Sequence, residues 1–173
     1  MDHTDHVALL RGGIVPGTWA DLGSGRGAFT LALADLLGHD GAIYSIDTDA
    51  RALSAQRREM GRAFPAARVD YHVADFTAPL ALPPLDGIVM ANSLHFVRDK
   101  LPLLERLRAM LVPRGRFVLI EYDADRGNAW VPHPVSLVAW CELSALAGFR
   151  DTRQLHALPS RFLGRIYSAA SLA

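Results

Sequence analysis

At 173 residues, half of them hydrophobic and 21% charged, the chain has the size and composition of one globular domain with a sizeable core. Eighteen basic residues balance eighteen acidic ones, so there is no general electrostatic pull toward nucleic acid or anionic lipid, and neither is expected as a partner. A single cysteine, Cys141, rules out an intrachain disulfide and fits a reducing compartment, so a cytoplasmic protein is expected.

The first six residues, Met1 to His6, are acidic and polar where a secretory leader would be basic and then apolar. His3 and His6 beside Asp2 and Asp5 have the chemistry of metal ligands. A terminus is expected to be mobile, however, and a metal needs ligands held in geometry, so no metal site is expected. Thr18 to Leu22 reads as a strand carrying one acid, Asp21, and it runs straight into Gly23-Ser24-Gly25-Arg26-Gly27 and a helical pattern from Ala28 to Leu37. Glycine at alternate positions lets the backbone turn sharply and lets a ligand approach the main chain without meeting a Cβ. Gly23 to Ala28 also satisfies the dinucleotide-binding pattern G-x-G-x-x-G/A.

After a turn at Gly38-His39-Asp40-Gly41, the strand Ala42 to Ile46 ends in Asp47, and Thr48 or Asp49 is placed to cap a helix from Asp49 to Ala63. The arginines 51, 57, 58, 62 and 68 read as the solvated side of that region. Arg68 to Ala74 alternates as a strand ending at Asp75, and Thr77 to Pro84 is too broken by proline for a helix. Asp86 to Ala91 is a near-continuous apolar run of the kind buried in a parallel sheet, followed by Asn92-Ser93-Leu94-His95-Phe96. A helix from Lys100 to Leu111, stopped at Pro113 and Gly115, precedes a fifth strand, Arg116 to Tyr122. A loop from Asp123 to Pro134 leads to a helix from Ser136 to Ala147, in whose apolar pattern Cys141 is expected to be buried. Strands near Phe149 to Leu155 and Phe162 to Ala169 then close as an antiparallel hairpin, with about eight loop residues, Pro159 among them, expected between them.

Strands alternating with helices imply βαβ units around a parallel sheet, and such sheets bind ligands beyond the carboxyl ends of their strands. The residues that matter are therefore Gly23 to Gly27, Asp47, Asp75, Asn92 to His95, and Glu121 to Asp123.

In that order and spacing the chain resembles the class I S-adenosylmethionine-dependent methyltransferases. Asp21-Leu22-Gly23-Ser24-Gly25-Arg26-Gly27 is similar to their first motif, Ile46-Asp47-Thr48-Asp49 to the second, and Val73-Ala74-Asp75-Phe76 to the third. Leu111-Val112-Pro113-Arg114-Gly115 resembles the L-x-P-G-G turn before the fifth strand, with Arg114 where the family commonly has glycine. The resemblance implies an α/β, Rossmann-like, doubly wound fold: a seven-stranded, mainly parallel sheet of order 3-2-1-4-5-7-6, its last strand antiparallel, with helices on both faces. It implies S-adenosylmethionine as cofactor. The main chain at Gly23, Ser24, Gly25 and Gly27 would receive the methionine end, with Asp21 favouring its ammonium group and Ala91–Asn92 completing that pocket. Asp47 would accept from both ribose hydroxyls, Asp75 from the adenine amino group, and Thr48 and Phe76 would flank the ring.

A sulfonium carries an already activated methyl group, so the protein need only position the acceptor, exclude water and remove a proton where one must leave. His95 is the expected base, with Glu121, Tyr122, Trp130 and His133 as candidates for the acceptor pocket. No N/D-P-P-Y/F run stands after the fourth strand, and neither a catechol-type acid cluster nor a cysteine set is present. The segment before the first strand offers little material for a lid, so a small-molecule acceptor is expected, or an open site completed by a second subunit in a homodimer. Two rival readings are a nicotinamide-dependent oxidoreductase, which would use Gly23, Gly25, Ala28 and Asp47 but leave Asp75–Phe76 unexplained, and a cofactor-binding module that acts through a partner without turnover.

Overall fold

The computed structural model describes residues 1–173 as one sheet covered on both faces. In chain order the elements are α1 (His3–Leu10), β1 (Thr18–Leu22), α2 (Ala28–Leu37), β2 (Ala42–Asp47), α3 (Ala50–Ala63), β3 (Arg68–Val73), β4 (Leu85–Ala91), a 3-10 turn at Leu94–Phe96, α4 (Leu101–Arg108), β5 (Leu111–Tyr122), α5 (Leu137–Leu146), β6 (Arg150–Ser160) and β7 (Gly164–Leu172). The seven strands lie in the order β3-β2-β1-β4-β5-β7-β6. The first five pair in parallel, and β7 runs antiparallel to both β5 and β6. Strand order reverses between β1 and β4, so the loops after these two strands diverge and open a crevice at the carboxyl edge.

Strand side chains alternate between two cores. Ala20, Leu22, Ile88, Met90, Phe117, Leu119 and Tyr167 face α4 and α5, together with Trp140 and Phe149. Trp19, Val89, Val118, Ile120 and Ile166 face α1 and α2, together with Leu9, Leu10, Phe29 and Leu33. Trp19 explains Gly87 in the neighbouring strand: the two are register partners, and a Cβ at residue 87 would lie 2.3 Å from the indole ring. Burying that ring on a bare backbone joins β1 to β4 at the reversal point.

Several details depart from the sequence expectations. The first residues form a helix, α1, because Asp2 and Asp5 cap each other's backbone N–H groups reciprocally and Val7, Leu9 and Leu10 are buried. His3 meets Asp35 of α2 at 3.1 Å, and His6 stacks edge-on against Phe29 at 4.8 Å between ring centres, so both histidines serve helix docking. Cys141 is exposed, since α5 is apolar all round and turns only Trp140 and Ser144 fully inward. β5 begins at Leu111 and takes in Pro113 and Gly115. Arg114 there adopts φ +64°, the left-handed conformation that glycine takes without strain. The hairpin turn is only Arg161 to Leu163: Pro159 lies within β6 opposite Arg165, tolerated because β6 is an edge strand.

Candidate functional site at the carboxyl edge of the sheet

The glycine loop is built into the protein before any ligand arrives. The N–H groups of Gly23 and Ser24 both donate to the Ile46 carbonyl, Gly27 donates to the Ser24 carbonyl, and Gly25 donates to Asp47 Oδ2 at 2.7 Å. Below the loop, the Ser45 hydroxyl bridges Ser24 Oγ (2.8 Å) and Gln56 Oε1 (3.0 Å). The glycines divide by role. A Cβ at Gly27 would lie 2.2 Å from the Gln56 side chain and one at Gly23 would lie 2.5 Å from Ser93, so both are small for internal packing. Gly25, at φ +55°, has nothing within 4 Å of its missing Cβ and is the place where the loop faces open space. The N–H groups of Gly23, Gly25 and Gly27 are all committed internally, while Gly23 and Ser24 remain in the lining of the adjoining cavity. The N–H groups of Arg26 and Ala28 make no such bond, and the amino terminus of α2 presents them outward.

Beside this loop lies a cavity of about 310 Å³ whose lining includes Asp21, Gly23, Ser24, Ala28, Asn92 and His6. Asp21 is fully buried and accepts from the Thr30 hydroxyl at 2.6 Å. Burial pushes its carboxyl up to about 7; the Thr30 bond opposes this, and the nearby Asp47 charge adds to it. Asn92 stands at φ +53°, a conformation asparagine tolerates better than most residues, and its buried Oδ1 has no partner. The cavity thus brings the acceptor atoms of Asp21 and Asn92 together with the positive amino terminus of α2.

Asp47 ends β2 and accepts from Gly25 N–H through Oδ2 and from Asp49 N–H through Oδ1 at 2.8 Å. A carboxylate has about four acceptor positions, so two remain. Capping of α3 falls to Asp49, which accepts from Arg51 and Ala52; Thr48 is exposed. Asp75 accepts from both the N–H and the hydroxyl of Thr77 through Oδ1, which holds its carboxyl below the usual carboxylate range and leaves Oδ2 free. Phe76 is half-buried between this turn and Gly23.

Beyond β4 and β5 the structure brings His95 and Glu121 together. The imidazole Nδ1 lies 3.0 Å from each carboxylate oxygen, with side chains 4% and 0% exposed. Glu121 also accepts from the Tyr122 N–H at 2.8 Å. An isolated buried carboxylate costs several kcal/mol, so this pair exists only because each member satisfies the other. No protein group bonds Nε2 of His95, whose ring sits 4.4 Å from that of Phe96 and 6.2 Å from that of Tyr122. Burial raises the Tyr122 phenol, and the Glu121 charge raises it further. Lys100, buried with its ammonium on the Val97 carbonyl at 2.7 Å, is lowered by burial while Glu121 opposes.

The remaining candidates scatter. His133 joins the site through its main chain, its N–H donating to the His95 carbonyl at 3.0 Å. Trp130 is 77% exposed on the same loop. Sequence reasoning missed Thr30 and Lys100, and it weighed His6 only as a metal ligand. Only the capping pair in the first turn could have signalled the helix that carries His6.

A family model for the methyltransferase domain matches residues 20–117. The chain is 30% identical over 156 residues to a reducing polyketide synthase of Penicillium, grgA, covering 75% of this chain but 6% of that protein. Among solved structures, a candidate O-methyltransferase of Nostoc punctiforme superposes with a TM-score of 0.80 at 15% identity, over 99% of this chain and 56% of its own. The N-methyltransferase NodS of Bradyrhizobium japonicum, in complex with S-adenosyl-L-homocysteine, superposes with a TM-score of 0.69 at 18% identity, over 98% and 84%. The chain thus spans just over half of the Nostoc protein and a small part of the polyketide synthase. These structures share its fold; the acceptor atom is a property of the site. With the motif spacing, the strand order and the family match in agreement, the chain belongs to the methyltransferase-domain family, whose cofactor is S-adenosylmethionine.

Proposed function

We propose that this chain methylates a small molecule that must lose a proton as it accepts the methyl group, with His95 as the base and Glu121 as the group that orients it. The observation that carries this reading is the buried His95–Glu121 pair at the ends of β4 and β5, with Nδ1 committed and Nε2 unbonded. An amine is already nucleophilic when neutral; a hydroxyl, or a carbon flanked by two carbonyls, is not. The polyketide synthase relative favours the carbon acid, since polyketide chains carry such positions.

The residues present fit the cofactor. A zwitterionic amino acid end matches the 310 Å³ cavity, its carboxylate toward the Arg26 and Ala28 N–H groups and its ammonium toward Asp21 and the unpaired Asn92 Oδ1. Asp47 has two acceptor positions for ribose hydroxyls, Asp75 Oδ2 is free for an adenine amino group, and Phe76 stands beside both. When bound, the cofactor supplies an activated methyl group on a sulfonium. Glu121 fixes the imidazole with its Nδ1–H inward, so that Nε2 takes the acceptor's proton, and its negative charge stabilises the imidazolium that results. Phe96 and Tyr122 exclude water around the ring.

No helix is long and apolar enough to cross a membrane, and the one cysteine, exposed and unpaired, accords with a reducing compartment such as the cytoplasm.

The test is methyl transfer to the acetoacetyl thioester of N-acetylcysteamine, set beside an aryl hydroxyl and a primary amine. S-adenosylhomocysteine release is followed in the parent protein, His95→Asn and Glu121→Gln. General bases contribute about 10²–10⁴-fold, so His95→Asn should lose that much turnover with cofactor affinity retained, and Glu121→Gln a smaller share. Hydrogen–deuterium exchange at the acidic carbon, with S-adenosylhomocysteine bound, should depend on His95 in the same way. Undiminished turnover in His95→Asn would remove the base from the mechanism. Tight cofactor binding with no turnover on any acceptor would favour a non-catalytic module.

A further inference from the structure

Resting on that reading, we propose that the cleft between the β6–β7 turn and the first turn of α1 is the subsite for the non-reacting body of the acceptor, a neutral alkyl chain or aromatic ring. It encloses about 550 Å³, within the range of small-molecule sites, and Tyr122, Leu158, Phe162 and Ile166 form its apolar wall. None of these residues is needed for the cofactor, whose three parts are accounted for by the glycine loop, Asp47 and Asp75.

Its position suits the role. β7 is antiparallel to β5, with Ile166 opposite Tyr122, so the β6–β7 turn stands at the same carboxyl edge as His95 and the cofactor cavity. Tyr122 links the two sites, its ring 6.2 Å from that of His95 on one side and 6.3 Å, edge-on, from that of Phe162 on the other. Met1 lines both the larger cleft and the 310 Å³ cavity, so the two adjoin under the start of α1. The first turn of α1 therefore borders both, with Asp5 on the cleft and His6 on the cavity.

The surface around the cleft supports the class of ligand. Two of the protein's exposed large apolar side chains, Met1 and Phe162, stand in the lining of this cleft. Single exposed apolar residues need no explanation, but two that face one cleft continue its apolar wall outward. The polar rim is mixed in sign: Asp5, whose Oδ2 already accepts from the Asp2 N–H, stands opposite Arg161, which has no ion-pair partner. Such a rim selects neither anion nor cation, so the body held between the walls is neutral.

The experiment follows the methyl signals of Met1, Leu158 and Ile166 by carbon-13 NMR, with S-adenosylhomocysteine present, during titration with octanoyl-N-acetylcysteamine. That probe has an apolar tail but no carbon between two carbonyls, so its binding is independent of turnover. Shifts confined to these three residues are expected, weakened at least tenfold in Phe162→Ala and in Leu158→Gln, with unchanged S-adenosylhomocysteine affinity reporting that both variants fold. With 3-oxoacyl thioesters of increasing length, KM should fall by up to about fourfold per methylene in the parent and stay flat in the variants. Shifts elsewhere, no shifts up to the probe's solubility, or variants that bind it as the parent does would overturn the subsite. Tail binding at these residues without methylation of any 3-oxoacyl thioester would keep the subsite and refute the carbon-acid reading instead.

Discussion

Cofactor binding should release a proton from Asp21, and the amount follows from the geometry. In the free protein this carboxyl is buried against Thr30 with no cation nearby, and its pKa is about 7. An ammonium group beside it would restore the charged form and bring it toward the ordinary carboxylate value near 4. Binding should then release about half a proton at pH 7, about nine-tenths at pH 6 and about a tenth at pH 8, with affinity weakening by roughly tenfold per pH step below 7. Calorimetric titration of S-adenosylhomocysteine in buffers of different ionisation enthalpy counts these protons directly. His6 lines the same cavity and is held below its ordinary 6.5 by burial. It could add protons at the acid end, so the count is best made in a His6→Gln background. A count near zero from pH 6 to 8, or the same count in Asp21→Asn, would refute the placement of the ammonium group.

The same carboxyl should shape stability: the folded protein holds a proton that the unfolded chain gives up near 3.8, so stability falls as pH rises from about 4 to 7. Asp21→Asn should lack this slope and be more stable at pH 8 by up to about 4 kcal/mol, less the lost charge-assisted bond to Thr30, as read by denaturant unfolding. Asp47→Ala should weaken S-adenosylhomocysteine about 30- to 1000-fold, because it removes ribose acceptors and also the group that holds Gly25; unchanged affinity by calorimetry would exclude it from the site. Arg114→Gly should raise stability by about 0.5–1 kcal/mol by relieving the left-handed residue, seen as a shift in the thermal midpoint. Cys141 should react with a thiol reagent in the native protein at the rate of a free thiol.

The fold was legible because βαβ units announce themselves through a switch of hydrophobic period, and the polar residues ending β2, β3 and β4 stand out against apolar strands. Pairing of His95 with Glu121 was not legible. The two are far apart in sequence, and only the parallel register of β4 with β5 brings their loops together. The glycine loop was legible only in part. The pattern shows that bare backbone is required, but not whether a ligand or a neighbouring side chain occupies the space, and at Gly27 the neighbour is Gln56. For α1 the weak periodicity of eight residues hid a helix stabilised by its local capping pair and by burial against α2, the second a tertiary fact. Cys141 was misplaced because α5 is apolar on every side, so its pattern does not tell which face turns inward.

The position of β7 has a consequence for how the protein is made. Though last among the strands in sequence, it lies inside the sheet, and β6 pairs with nothing else. Until it arrives, β5 offers an unpaired edge carrying Phe117, Val118, Leu119 and Ile120, a template for another copy of the chain. Carbonyls of the segment after α1 are held from the far side of the sequence, Gly12 by Arg153 and Gly13 by Arg116. The walls of the larger cleft therefore assemble only after the final hairpin has docked, by contacts that span most of the chain and form slowly. Losing about ten residues at that end would remove β7, leave β6 without a partner and turn β5 into an open edge, and a nascent chain stalled just short of β7 is the species most exposed to aggregation.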